Sequence, residues 1–268
     1  MFREFEIDVL RCRDCGHVFS SVTGEQDYDR YFGTARIEPD RQFWWDDAHR
    51  RMYDAFCLRF LAGRRGRLLD VGCGLGYFVR RASQMHGWDA FGSEMSRPAV
   101  EFAREVLGLR TVTQGRVQDA AFEPASFNVI TLWDVIEHIP DPDPVLAHLF
   151  SLLTSSGILF IHTPNVEVQL PKARLKRFLR GMRRGVHYLE ARDHAHIYSR
   201  KSIAAVLRRN GFATVRFAHL PPIQSVSGGR DSLLRAAKNA WYYSAVALST
   251  VTRGLFNFDN LFVIAAKA

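Results

Sequence analysis

The chain has 268 residues, of which 47% are hydrophobic, enough to bury a substantial core in one α/β domain with embellishments. No apolar run reaches the roughly 18–20 residues that a membrane-spanning helix needs, and Met1 to Leu10 lacks the apolar core of a signal peptide, so a cytoplasmic protein is expected. A net charge of +8 admits anionic partners (nucleic acid, a phospholipid surface or an acidic substrate) without choosing among them.

Residues 1–22 read as a short hairpin: Phe5, Ile7 and Val9 alternate, Arg13 to Gly16 turns, and Val18-Phe19 follows. Cys12 and Cys15 form Cys-x-x-Cys before Gly16, the knuckle of half a zinc ribbon. Tetrahedral zinc needs four ligands; only His17 stands nearby and there is no second Cys pair, so zinc at Cys12 and Cys15 is not expected. Cys57 falls in a helical pattern and Cys73 in a glycine turn, and neither suggests a disulfide. Residues 23–40 are polar and turn-rich and read as a linker anchored by Tyr28, Tyr31 and Phe32. Phe43 to Leu61 shows helical spacing through Trp44, Ala48, Met52, Phe56 and Phe60.

At Leu68 the pattern changes. An apolar run (Leu68, Leu69, Val71) meets glycines on alternate positions, Gly72, Gly74 and Gly76, and a helical pattern begins at Tyr77. This predicts a buried strand, a tight turn and a helix start, the arrangement that holds nucleotide-like ligands in doubly wound α/β folds. The spacing is Gly-x-Gly-x-Gly, and Asp70 stands two residues before the first glycine. An acid there would repel a pyrophosphate, which disfavours a nicotinamide-dependent oxidoreductase, and suits a ligand with positive charge. Further on, Trp88 to Ser93 reads as a second strand ending in Glu94, an acid placed to accept hydrogen bonds from ribose hydroxyls.

The Leu-Asp-Val-Gly-Cys-Gly-x-Gly run with Glu94 resembles the class I S-adenosylmethionine-dependent methyltransferases, and the resemblance spans roughly Arg67 to Phe217. It implies a Rossmann-like, doubly wound, mostly parallel seven-stranded sheet with helices on both faces. It also implies an S-adenosylmethionine site built from Asp70, Gly72, Cys73, Gly74, Gly76, Tyr77, Phe78, Glu94 and Met95. Val117 and Gln118 would flank the adenine, Asp119 is an alternative there because Arg116 departs from the family's usual acid, and Trp133 would lie near the sulfonium. The helical segment before the first strand would cap the cleft. The N-terminal hairpin is similar to the second half of the zinc ribbon that many such bacterial enzymes carry.

The remaining elements follow in order: helices Tyr77–His86 and Arg97–Leu107, strands Arg110–Thr113 and Phe127–Trp133, and helix Val145–Leu153 after Asp143-Pro144. A Ser155-Ser156-Gly157 turn then leads to strand Ile158–Thr163. Strand and helix alternate throughout, as in a parallel sheet. Two insertions interrupt the pattern, at about 165–198 and 221–258, around helix Lys201–Asn210 and strand Val215–Ala218; strand Asn260–Ala266 closes the chain. Residues 1–40 thus read as a hairpin and linker, and 41–268 as the catalytic domain.

Asp134, Glu137 and His138 form Asp-x-x-Glu-His at the end of the fourth strand, where α/β enzymes place their chemistry. One helical turn would bring all three to one face, fit for a divalent cation such as Mg²⁺. The segment resembles the metal-binding Glu-x-x-Glu-His run of ubiquinone-biosynthesis O-methyltransferases. His138, His194 and His196 are candidate bases, since imidazole titrates near neutrality. The basic stretch Leu170 to Arg184 reads as a solvated helix face or a binding patch, and the aromatic segment Asp231 to Arg253 as core packing or a dimer contact; together they would suit a membrane surface or cover for a lipid-like acceptor. The expectation is therefore a methyltransferase, monomeric or homodimeric, acting on a small-molecule acceptor, with oxygen favoured by the resemblance. The alternatives are a nucleic-acid methyltransferase, weakened because no Asn-Pro-Pro-Tyr run follows the fourth strand, and a non-catalytic binding protein that retains the fold.

Overall fold

The structure, a computed structural model, describes residues 1–22, 27–33, 46–184, 186, 188–223, 231–252 and 260–267. Expectations for Phe43, Trp44 and parts of the linker and second insertion lie outside these residues.

Strands β1 (Phe2–Glu4), β2 (Ile7–Arg11) and β3 (Val18–Ser20) form an antiparallel meander. The central sheet is built from β4 (Gly66–Val71), β5 (Trp88–Glu94), β6 (Val112–Gln114), β7 (Phe127–Trp133) and β8 (Leu153–Thr163). A short strand, β9 (His196–Ile197), joins the N-terminal meander instead. Two more, β10 (Thr214–Ala218) and β11 (Leu261–Ala266), complete the central sheet. Its seven strands stand in the order β10-β11-β8-β7-β4-β5-β6. Pairings from β8 to β6 are parallel, and β11 is antiparallel to both β8 and β10.

Helices α1 (Tyr28–Phe32), α2 (Arg50–Phe56), α3 (Tyr77–Ser83) and α4 (Arg97–Glu105) precede the fourth sheet strand in the chain. They are followed by α5 (Pro142–Leu152), α6 (Val166–Arg180), α7 (Arg200–Arg209) and α8 (Asp231–Val251). Successive strand residues face opposite ways, and the core divides accordingly. Leu68, Ala90, Val129 and Phe160 pack on one face with Phe56, Phe78 and Val100 from α2, α3 and α4. Leu69, Ile130, Leu159 and Ile161 pack on the other with Leu146, Leu149, Ile203 and Leu207 from α5 and α7. Each Val, Leu, Ile or Phe among them, fully buried, contributes about 1.5–3 kcal/mol.

Several boundaries differ from those read in the sequence. The helical pattern before β4 divides into α2 and a π turn at Cys57–Leu61. Helix α5 starts at Pro142, because Asp141 caps it and its two prolines fall in the first turn, whose N–H groups need no helical partner. Strand β8 absorbs the expected turn: Leu153 pairs with Phe127 and Ile158 with Val129, so Thr154 to Gly157 bulge opposite Asn128 alone.

The N-terminal hairpin does not stand apart from the domain. β3 pairs with β9 of the first insertion, and Phe2, Val9 and Val18 share a core with Val166, Leu170, Ala173, Leu189 and Ile197. Buried Glu4 accepts the N–H groups of Leu189 (3.1 Å) and Ala191 (3.2 Å). Hairpin and insertion are one packing unit. Among the described residues, no helix is long and apolar enough to cross a membrane.

Candidate active site

At the C-terminal end of β4 the chain turns through Gly72, Gly74 and Gly76, with φ of +66°, +52° and +84°. Side chains are disfavoured there by about 1–2 kcal/mol per residue. Space is also lacking: a Cβ on Gly72 would fall 2.7 Å from Val135 Cγ2, and on Gly76 2.8 Å from Leu109 Cδ1.

Two buried acids flank this turn. Glu94, at the tip of β5, accepts the Gly74 N–H with Oε2 and the Ser96 N–H with Oε1, both at 2.8 Å. Each oxygen keeps a second lone pair. Asp70 on β4 accepts from Thr131 Oγ1 at 2.6 Å. Burial pushes its carboxyl up to about 8; the Thr131 bond opposes the rise and the charge of Glu94 adds to it.

Of the other residues expected to meet a cofactor, Met95 is 41% exposed beside Glu94. Val117 is buried and Gln118 half-buried in a 3₁₀ turn, Val117–Asp119, after β6. Tyr77 is half-buried at the start of α3. The side chains of Cys73 and Phe78 depart from expectation. Cys73 Sγ occupies the space where a Cβ on Gly92 would lie, 2.7 Å away, so its side chain fills the core. Phe78 is buried among aromatic rings, with Tyr53 at 5.1 Å, Phe56 at 5.4 Å and Trp133 at 5.0 Å between centroids. Trp133 ends β7 in that cluster, and its buried Nε1 has no hydrogen-bond partner among the described residues. Helix α1 lies over the turn: the ring of Phe32 would be 3.3 Å from a Cβ on Gly74, and Asp29 accepts the Arg97 N–H at 2.9 Å.

The Asp-x-x-Glu-His segment does not form the single helical face that its spacing suggested. Asp134 adopts φ +52°, an unusual conformation for a side-chain-bearing residue, and only Ile136–His138 make a 3₁₀ turn. The carboxylate of Asp134 turns to His162 on β8, with Oδ2 3.0 Å from Nδ1. His194, from the insertion, takes the third position: ligand atoms of Glu137, His138 and His194 all lie within 4.8 Å of one another. His138 Nδ1 faces the Asp193 carbonyl at 2.8 Å and His194 Nδ1 the Leu189 carbonyl at 3.1 Å. Carbonyls only accept, so each Nδ1 donates and each Nε2 keeps its lone pair, the state a metal ligand needs. Glu137 Oε2 accepts from Thr163 Oγ1 at 3.0 Å, while the buried Oε1 has no partner among the described residues. Burial pushes the Glu137 carboxyl well up, and the nearby Asp134 adds to the rise. Burial and the adjacent His138 push His194 down to about 4. The chemistry of these three side chains fits a cation.

His196 is the third candidate base, and the structure corrects that role. Its Nε2 donates to the Pro140 carbonyl at 3.0 Å, and its Nδ1 accepts from His17 Nε2 at 2.9 Å. With both nitrogens engaged, His196 latches the hairpin to the loop after β7. The thiols of Cys12 and Cys15 are free, and no group of three metal-ligating side chains includes them among the described residues. Thr131, Thr163 and His162 were missed in the sequence; they orient Asp70, Glu137 and Asp134 from the neighbouring strand, and no local pattern marks such a partner.

A glycine turn between two acids, at the carboxyl edge of a doubly wound sheet, defines a protein that binds a nucleoside-like ligand. Residues 44–216 match the family model described as a methyltransferase domain, and the chain belongs to that family. It is 32% identical over 136 residues to the ubiquinone biosynthesis O-methyltransferase of Neisseria meningitidis serogroup C, covering 46% of this chain and 57% of that protein. The enzyme of the same name from Thiobacillus denitrificans is 28% identical over 193 residues, covering 64% and 78%. The chain thus spans 57% of the length of the Neisseria relative. Among solved structures, a chain from the complex of the Haloferax volcanii Trm112 methyltransferase activator with a methyltransferase superposes with a TM-score of 0.64 at 15% identity, covering 91% of this chain and 99% of that one. Phosphoethanolamine N-methyltransferase 2 of Haemonchus contortus, in complex with S-adenosyl-L-methionine, gives 0.57 at 16% identity, covering 93% and 62%. At these identities the structural likenesses show the fold.

Proposed function

We propose that this chain transfers a methyl group from S-adenosylmethionine to an oxygen nucleophile of a small-molecule acceptor. The observation that carries this reading is the pair of buried acids, Asp70 and Glu94, on either side of a turn that leaves no room for a side chain at Gly72 or Gly76. In this reading Asp70 meets the ammonium of the cofactor, the spare lone pairs of Glu94 accept from the ribose hydroxyls, and Met95, Val117 and Gln118 surround the adenine. When bound, the cofactor supplies a methyl group activated on sulfonium. The protein's share is alignment and exclusion of water, which the aromatic wall of Tyr53, Phe56, Trp133 and Phe160 serves. An oxygen acceptor is supported by the matched O-methyltransferases.

Glu137, His138 and His194 would hold a divalent cation on the acceptor side. Two imidazoles and one carboxylate favour Mn²⁺, Fe²⁺ or Zn²⁺ over Mg²⁺, which prefers oxygen throughout. Bound there, such an ion would supply Lewis acidity toward an acceptor hydroxyl. The partners in this reading are the small acceptor and a lipid surface, met through exposed residues of α6.

Thermal unfolding with S-adenosylhomocysteine, with NAD and with neither tests the cofactor. A ligand at about 100 times its Kd stabilises by about 2.7 kcal/mol, and only S-adenosylhomocysteine is expected to do so. No shift in folded protein would overturn methyl transfer and favour a non-catalytic role. Nucleic-acid affinity that falls steeply with salt would instead favour a nucleic-acid acceptor.

A further inference from the structure

The imidazoles of His138 and His194 lean on one stretch of backbone. His194 Nδ1 donates to the Leu189 carbonyl at 3.1 Å, and His138 Nδ1 to the Asp193 carbonyl at 2.8 Å. The placement of residues 189–195 therefore decides where both Nε2 lone pairs point. Within this stretch Glu190 sits at φ +56°, a region that side chains disfavour, so the turn needs support from outside.

That support comes from the N-terminal hairpin, which lies beyond the residues 44–216 that match the family. Glu4 Oε2 accepts both the Leu189 N–H and the Ala191 N–H. Ser20 Oγ donates to the Ala191 carbonyl, and the Ser20 N–H donates to the Ala195 carbonyl at 3.0 Å. Phe2, Val9 and Val18 anchor the hairpin by packing, but apolar burial has no direction. Glu4 adds the direction. A carboxyl group only 7% exposed is costly unless it is hydrogen-bonded, and its bonds are aimed at the turn that carries His194.

We propose that Glu4 is a positioning residue for the acceptor side: by fixing residues 189–195 it sets the Nε2 atoms of His138 and His194. The proposal rests on the reading of Glu137, His138 and His194 as a cation site. Glu4 acts through two links, from its carboxylate to backbone N–H groups and from backbone carbonyls to the imidazoles. The hairpin thus completes a site whose own three residues lie within the matched domain.

Two full-length variants and two readouts test this. Glu4→Met keeps the length of the side chain and removes the acceptor, whereas Glu4→Gln keeps an amide oxygen for the same two N–H groups. In calorimetric titration with Mn²⁺, Glu4→Met should bind at least about tenfold more weakly than the parent, and Glu4→Gln should recover most of the loss. Imidazole ¹⁵N spectra recorded without metal should show the proton fixed on Nδ1 of His138 and His194 in the parent and in Glu4→Gln, and exchange between tautomers in Glu4→Met. Glu4 lies outside the cofactor site, so the thermal shift with S-adenosylhomocysteine should be alike in all three. If Glu4→Met releases the whole hairpin, seen as lost hydrogen-exchange protection of β3, Ser20→Ala takes its place and should move both readouts the same way by less. Imidazole spectra that stay parent-like in the deciding variant would overturn the proposal. So would an unchanged Mn²⁺ affinity, where the parent binds the ion. A parent that binds no Mn²⁺ would count against the cation reading, and the imidazole spectra would then decide the role of Glu4 by themselves.

Discussion

Replacing Asp70 by Asn should make the free protein more stable and the cofactor complex weaker. In the folded chain Asp70 is 2% exposed, and its carboxyl titrates at about 8 against an ordinary 3.8. At pH 7 the folded state holds a proton that the unfolded chain releases. This costs about 1.4 kcal/mol per unit over the roughly three units between 3.8 and 7, or about 4 kcal/mol. The sign follows: the stability contribution is complete below 3.8, declines as pH rises, and is flat above about 8. Asn escapes that decline and keeps an oxygen to accept from Thr131, although its amide gains a donor to satisfy, at about 1–3 kcal/mol. Denaturant unfolding between pH 4 and 9 should therefore show Asp70→Asn gaining on the parent as pH rises, by about 1–3 kcal/mol at pH 7. Affinity for S-adenosylhomocysteine should move the other way. The ammonium binds the charged carboxylate, and a charge-assisted hydrogen bond is worth about 1.5–3 kcal/mol, so Kd should rise about tenfold to a hundredfold. A parent stability that does not decline from pH 5 to 9, or a variant that is less stable yet binds as well, would refute the reasoning.

Three further outcomes are expected. Glu94→Gln places an amide where two backbone N–H groups now donate to a carboxylate, and chemical denaturation should show a loss of about 1–3 kcal/mol together with a smaller S-adenosylhomocysteine shift. Calorimetric titration with Mn²⁺ should give one site per chain that Glu137→Gln or His194→Ala weakens at least about tenfold, with Mg²⁺ binding more weakly; equal heats in parent and variants would remove the cation from Glu137, His138 and His194. Burial, with His196 and Arg209 nearby, pushes His17 down to about 4, below its ordinary 6.5, so its contribution to stability is present above 6.5 and lost as pH falls toward 4. His17→Phe should flatten that acid limb in a hydrogen-exchange profile of β3, and an unchanged limb would show that the latch does not titrate.

What could be read from the sequence was what short stretches determine. The Leu68–Phe78 run places strand, turn and helix start within eleven residues, and strand–helix alternation gives the parallel sheet. Glycines at +66°, +52° and +84° are needed where they stand, so their positions report the turn directly. The grouping of Glu137, His138 and His194 was only partly legible. Glu137 and His138 are neighbours in the chain, but His194 reaches them from an insertion, and Asp134 is drawn away by His162 on the next strand. That exchange depends on strand register, which no local periodicity encodes. The same holds for His196, whose role follows from a partner 179 positions earlier. Phe78 had the position of a ligand contact but the environment of a core residue, because the helix face that carries it packs under Trp133.

The pairing of β3 with β9 also bears on how this chain is made. During synthesis the first three strands leave the ribosome with one edge open, and the segment that closes it follows most of the catalytic domain. Closing so long a loop is entropically costly until the intervening sheet has formed and brought its ends together. The hairpin is then a last piece, seated on a finished scaffold, and Glu4 and His17 secure the loop that bears His194 only after that event.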